Sequence, residues 1–78
     1  MNATKESINR FVKLGKDHFR SGCYSEAVAA YEAAIDLVRK SPDKIKKQYE
    51  RLWSELAVLY VYVGETDRAQ RLYEELLE

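Results

Sequence analysis

At 78 residues the chain has room for one small domain, near the lower limit at which a single core stabilises itself. A hydrophobic share of 46% excludes disorder, and the longest apolar run, residues 56–63, is far too short to cross a bilayer. Net charge is zero, so no overall field draws the chain to nucleic acid, and a single cysteine, Cys23, cannot close an internal disulfide.

The first predicted helix covers about residues 4–20. Ile8, Phe11, Val12, Leu14 and Phe19 recur along it at helical spacing. Ser21-Gly22 stops it, because glycine accepts the left-handed conformation at a helix end. A second helix, about 24–39, carries one apolar stripe: Ala27, Val28, Tyr31, Ala34, Ile35 and Val38 fall three and four residues apart. Its alanines, Ala27, Ala30, Ala33 and Ala34, let a neighbouring helix come close. Ser41-Pro42-Asp43 then reads as a helix start, with Ser41 as the cap and Pro42 at the first helical position. The third helix is therefore expected to run unbroken from about 42 to 63 and to end at Gly64. The fourth begins at Thr66 or Asp67, either of which can cap it, and its stripe is Ala69, Leu72, Tyr73, Leu76 and Leu77. No stretch alternates with period two, so the fold class is all-α.

The chain also matches itself at an offset of 42 residues. Phe11 aligns with Trp53, Leu14 with Leu56, His18 with Tyr60, Gly22 with Gly64, Ala27 with Ala69, Tyr31 with Tyr73, Glu32 with Glu74 and Ile35 with Leu77. A repeat of this length is one helix-turn-helix unit that cannot bury its apolar face alone and stacks on its neighbour. The aromatic, leucine, aromatic, turn glycine, alanine and aromatic of each copy resemble a tetratricopeptide repeat. Phe11, Leu14, Gly15, His18, Gly22, Tyr24, Ala27, Tyr31 and Ala34 carry the likeness in the first copy. Trp53, Leu56, Ala57, Tyr60, Gly64, Ala69, Tyr73 and Leu76 carry it in the second. The resemblance implies two stacked antiparallel helix-turn-helix hairpins, four helices in all, with repeat 1 at about 8–41 and repeat 2 at about 42–78. The period is longer than that family's usual one, with the extra residues around 36–44, as in its long-helix variants. His18 stands where the pattern has tyrosine, and Leu76 where it has alanine. A weaker likeness links residues 22–43 to the second helix of a microtubule-interacting-and-transport domain, which would make the chain a traffic adaptor. Gly64 and the fourth amphipathic segment do not suit that three-helix fold.

No catalytic constellation is present. His18 and Cys23 are the only residues of their types and a turn separates them; His18 is expected to pack and Cys23 to sit in a loop. One histidine and one cysteine are too few for a metal site, no glycine-rich phosphate loop exists, and no cofactor is expected. A lone cysteine and a polar N-terminus without a signal-peptide core set the cytoplasm as the expected compartment. Glu74, Glu75 and Glu78 oppose the dipole of the last helix, which reads as a chain cut from a longer array.

Charge is divided unevenly. Residues 1–51 hold 11 Lys/Arg against 7 Asp/Glu, net +4, and residues 52–78 hold 2 against 6, net −4. The basic run Arg39, Lys40, Lys44, Lys46, Lys47 and Arg51 places lysines in the first turns of the third helix, against its dipole. No exposed aromatics are interleaved with it to stack bases, so nucleic acid is not the expected partner.

The third helix is the anomaly, being apolar all round from Leu56 to Val63. Trp53, Leu56, Ala57 and Tyr60 occupy the internal positions of the repeat. Val58, Val61 and Tyr62 are left for the groove that the first helices of such repeats line, and Val12, Lys16 and Phe19 fall on the matching face of the first helix. The resemblance thus implies a non-catalytic module that binds a protein or peptide. Its contact residues are expected to be Asn9, Val12, Lys16, Phe19, Ser54, Glu55, Val58, Val61 and Tyr62. Val12, Lys16 and Glu55 occupy the places where family members that grip C-terminal carboxylates carry a lysine and asparagines, so no carboxylate clamp is expected. The alternative is a self-assembling unit. Two repeats with spare apolar surface and oppositely charged halves are expected to form a homodimer at tens of micromolar.

Overall fold

The structure, a computed structural model, describes residues 3–77. Glu78, counted above in the acidic helix end, and Met1 and Asn2 of the polar N-terminus lie outside the described residues. Among those described, every regular element is helical: α1 (Ala3–Arg20), α2 (Tyr24–Arg39), α3 (Asp43–Gln48), α4 (Arg51–Tyr62) and α5 (Thr66–Leu77). α1 packs along α2, α4 packs along α5, and α2 packs against α4, so two hairpins share one seam.

The two hairpins turn in the same way. Gly22 has φ +80 and Gly64 has φ +82, which only glycine adopts without strain. In the first turn the Gly22 N–H donates to Phe19 O at 3.0 Å and the Cys23 N–H to His18 O at 2.9 Å. In the second the Gly64 N–H donates to Val61 O at 3.1 Å and the Glu65 N–H to Tyr60 O at 2.7 Å. Both satisfy the last carbonyls of the preceding helix in the same left-handed motif. The equivalence extends to the following helix. Ala27 N–H bonds the Cys23 carbonyl at 3.0 Å and Ala69 N–H the Glu65 carbonyl at 3.2 Å. α5 thus begins at Thr66 as expected, with Glu65 rather than Thr66 or Asp67 at the capping position.

The core lies where the hairpins meet. All six stripe residues of α2 are buried, together with Ile8, Leu52, Trp53, Leu56, Leu59 and Tyr60. Gly15 is the one small residue in α1 that α2 demands. A Cβ there would lie 2.8 Å from both Cδ2 and Cε2 of Tyr31, inside the contact distance of any real carbon pair. Gly15→Ala would gain about 0.5–1 kcal/mol of helix propensity. It would also force a buried ring to move, an overpacking of about 1–3 kcal/mol. Urea unfolding should show a net loss of up to about 2.5 kcal/mol, and a raised midpoint would mean that Tyr31 yields freely.

The connection between hairpins departs from expectation. The 42–63 segment is two helices, not one, so the described residues form five helices rather than four. Pro42 is itself the cap, at φ −60 and ψ 158, and its carbonyl accepts from Ile45 N–H at 2.9 Å and Lys46 N–H at 3.1 Å. Ser41 does not cap α3: its hydroxyl donates backwards to Leu37 O at 2.7 Å, closing the end of α2. At Tyr49–Glu50 the bonding tightens, with Leu52 N–H to Tyr49 O at 3.0 Å and Trp53 N–H to Glu50 O at 3.1 Å. No proline or glycine marks this break. Tertiary contacts fix it: Ile45 and Tyr49 pack against the core, and the Tyr49 hydroxyl donates to Asn9 Oδ1 of α1 at 2.6 Å. The break also changes the sign of the lysine argument. Lys46 and Lys47 now occupy the last turn of α3, with Asp43 in its first, so both ends favour the dipole.

Candidate functional site

α1 and α4 present one face each to a shared groove. At about 100° per residue, Val12, Lys16, Phe19 and Arg20 form a single stripe on α1. Glu55, Val58, Leu59 and Tyr62 fall within about 100° of one another on α4. A cleft of about 310 Å³ lies between them, lined by Lys16, Phe19, Arg20, Tyr31, Glu55, Val58 and Leu59. A second, of about 360 Å³, continues the groove towards the α3–α4 turn and is lined by Val12, Lys16, Lys47, Gln48, Tyr49, Arg51, Leu52 and Glu55. Lys16 and Glu55 border both and so join the two clefts.

Aromatic rings close one end of the groove. Phe19, Tyr24 and Tyr62 touch pairwise, with centroids 5.4, 5.6 and 5.3 Å apart, the Tyr24–Tyr62 pair edge-on. All three are exposed, and Val58 beside them is 45% exposed. At the floor, burial foremost, then the Glu55 carboxylate, pushes the Tyr31 hydroxyl up to about 12, so it stays protonated and able to donate. The rims are basic: Lys16, Arg20, Lys47 and Arg51 stand against the single acid Glu55.

Of the nine residues expected at this face, Val12, Lys16, Phe19, Glu55 and Val58 line the clefts, and Tyr62 belongs to the aromatic end. Asn9 is taken up by the Tyr49 hydroxyl and serves as a strut between α1 and the α3–α4 turn. Ser54 is half-buried and Val61 exposed, and neither lines a described cleft. The reason is rotational: both sit about 100–120° from Glu55 around α4. Among the residues that shape the groove, Arg20, Tyr24, Lys47 and Arg51 were not among those expected from the sequence. Tyr24 was findable, because a left-handed glycine turn brings the residue two positions beyond it back against the end of the preceding helix. Arg51 was not, since it reaches the groove through the unannounced break after Gln48.

Away from the groove, polar side chains tie the hairpins together. Tyr60 Oη donates to Glu32 Oε2 at 2.5 Å. Burial, then this bond, pushes the Tyr60 hydroxyl up to about 12. Arg39 grips Glu75 in a fork, Nε to Oε2 at 2.9 Å and Nη2 to Oε1 at 2.7 Å, while its guanidinium lies 5.9 Å from the Trp53 ring centre. The Arg39 hydrogen bonds hold the Glu75 carboxyl below its ordinary value. The Trp53 indole N–H is buried without a hydrogen bond of ordinary geometry, although it too favours the Glu75 carboxylate.

The repeated turn, the shared 42-residue register and the α2–α4 seam specify one kind of architecture. The sequence pattern that defines the tetratricopeptide repeat matches residues 7–78. The chain belongs to the tetratricopeptide repeat family. No curated protein and no solved structure matches it significantly. Tetratricopeptide repeats generally mediate protein–protein interaction and are typically non-catalytic. Among its described residues no helix is long and apolar enough to span a membrane, and no three metal-ligating side chains converge.

Proposed function

We propose that the groove between α1 and α4 binds a peptide segment of a protein partner, with apolar anchors flanked by acidic side chains. One observation carries this reading: a cleft of about 310 Å³ has apolar walls, Phe19, Val58 and Leu59, with Lys16 and Arg20 set against Glu55, and the cleft that continues it adds Lys47 and Arg51. Apolar anchors fill the walls and exclude water, while acidic flanks meet Lys16, Arg20, Lys47 and Arg51. The aromatic trio stops one end of the ligand, and the Tyr31 hydroxyl at the floor faces the Glu55 carboxylate and holds it at the centre of the groove. Glu55 disfavours an acid at the centre, so the anchors belong there and the acids outside. Such a module works in the cytoplasm, where a lone thiol such as Cys23 stays reduced.

The test uses peptides selected from a random display library on the immobilised chain, then synthesised and titrated by fluorescence anisotropy. Selected peptides should combine apolar anchors with Asp or Glu. Val58→Asp with Tyr62→Lys should keep the far-ultraviolet circular dichroism spectrum and weaken binding roughly 100-fold, equivalent to about 1.4 kcal/mol for each lost contact. Undiminished affinity in that pair would place the ligand elsewhere and overturn the reading.

A further inference from the structure

The two copies of the repeat are alike in sequence but unlike in burial, and the differences fall on the two outer faces of the molecule. Leu56 is 1% exposed, while its counterpart Leu14 on α1 is 45% exposed. Ile35 is 1% exposed, while its counterpart Leu77 on α5 is 87% exposed; Tyr31 and Tyr73 differ as 4% and 43%. The cause is the α2–α4 seam. α4 has the first hairpin against it and α2 has the second, whereas α1 and α5 each have one side with no such neighbour. The outer face of α5 thus carries the residues that α2 uses in the seam, and the outer face of α1 carries the positions that α4 uses.

We propose that copies of this chain join head to tail, the outer face of α5 in one copy seating on the outer face of α1 in the next. The contact repeats the internal seam in the same register. Leu77 and Tyr73 take the parts of Ile35 and Tyr31, and Leu14 takes that of Leu56. The polar pairs carry over too. In the seam, Tyr60 donates to Glu32; forty-two residues away, these positions are His18 and Glu74, an imidazole N–H donor for a carboxylate. Glu55, which faces the Tyr31 hydroxyl, corresponds to Lys13, an ammonium that can donate to the Tyr73 hydroxyl. Among the described residues Lys13 pairs with Asp17, at 3.4 Å in an exposed pair, a weak hold that lets it turn. Charge favours this occupant over an unrelated one, because α1 holds five Lys/Arg against two Asp/Glu, net +3, and α5 holds two against three, net −1, so the two helices that meet attract each other. Arg10 stands where the seam has Leu52, which makes the junction weaker than the seam itself. An interface between two different faces leaves one of each free on a pair of copies, so growth passes two copies, to an open filament or a closed ring, rather than stopping at a dimer. The groove plays no part in it.

Light scattering with size separation tests the proposal. The weight-average mass of the wild type should climb with concentration and pass two chains at several hundred micromolar. Leu14→Asp damages only the head, and Tyr73→Ser with Leu77→Ser damages only the tail. All three positions are exposed, and unchanged circular dichroism verifies the fold. Each variant alone should run as one chain. Mixed in equal amounts they should form a complex of two chains and nothing larger, because one intact tail meets one intact head. A wild type that stays at one chain, or variants that associate as the wild type does, overturns the proposal. So does a mixture that remains at one chain, since a two-fold or groove-filling dimer would not complement in this way.

Discussion

Trp53→Ala is expected to remove about 3–5 kcal/mol of stability, the range for deleting a large aromatic from a core. Trp53 is buried in α4 and belongs to the cluster on which both hairpins close. Its ring is also the platform under the Arg39 guanidinium, so truncation leaves the Arg39–Glu75 fork without its apolar support. A domain of this size has about 4–12 kcal/mol in total. The variant should therefore melt at least about 12 °C lower, at about 4–8 °C per kcal/mol, and can be unfolded at room temperature. Because Trp53 is the only tryptophan, the measurement is thermal circular dichroism rather than emission. A drop of only a few degrees would mean that the indole is not a core element.

Leu56→Ala and Leu14→Ala should give very different results although the two leucines occupy the same place in the repeat. Leu56→Ala removes a fully buried side chain from the seam and should cost about 2–5 kcal/mol. Leu14→Ala trims a side chain nearly half open to solvent and should stay within about 0.5 kcal/mol. Urea midpoints measured under dilute conditions, where any association of copies is negligible, compare the two directly. Equal losses would show that Leu14 is covered as Leu56 is, and that the two ends of the molecule are not the open faces described above.

The groove was partly legible because its signal was local. Val58 and Tyr62 are apolar residues one turn apart on a helix whose opposite face already holds Leu56, Ala57 and Tyr60, so something other than the core had to receive them. Ser54 and Val61 carried no such constraint. They lie about 100–120° from Glu55 around α4, and only the placement of α1 decides which arc of α4 the groove takes.

Elements whose ends are written in backbone chemistry were readable from the sequence. Gly22 and Gly64 can take a positive φ that other residues resist, Pro42 cannot continue a helix from behind, and the three-and-four spacing of the α2 stripe has only one helical face to bury. From these follow the helical class, the two hairpins and their common 42-residue register. The tertiary structure alone decided the rest. It broke the third helix where neither glycine nor proline stands, because Ile45 and Tyr49 gain contact with the core and Asn9 gains a hydrogen bond only if the chain bends there. It moved Ser41 from cap to back-bond. It also made Leu14 and Leu56, alike in sequence, different in fact. Burial belongs to a residue's neighbours, and the middle of a stack has neighbours on both sides where each end has them on one.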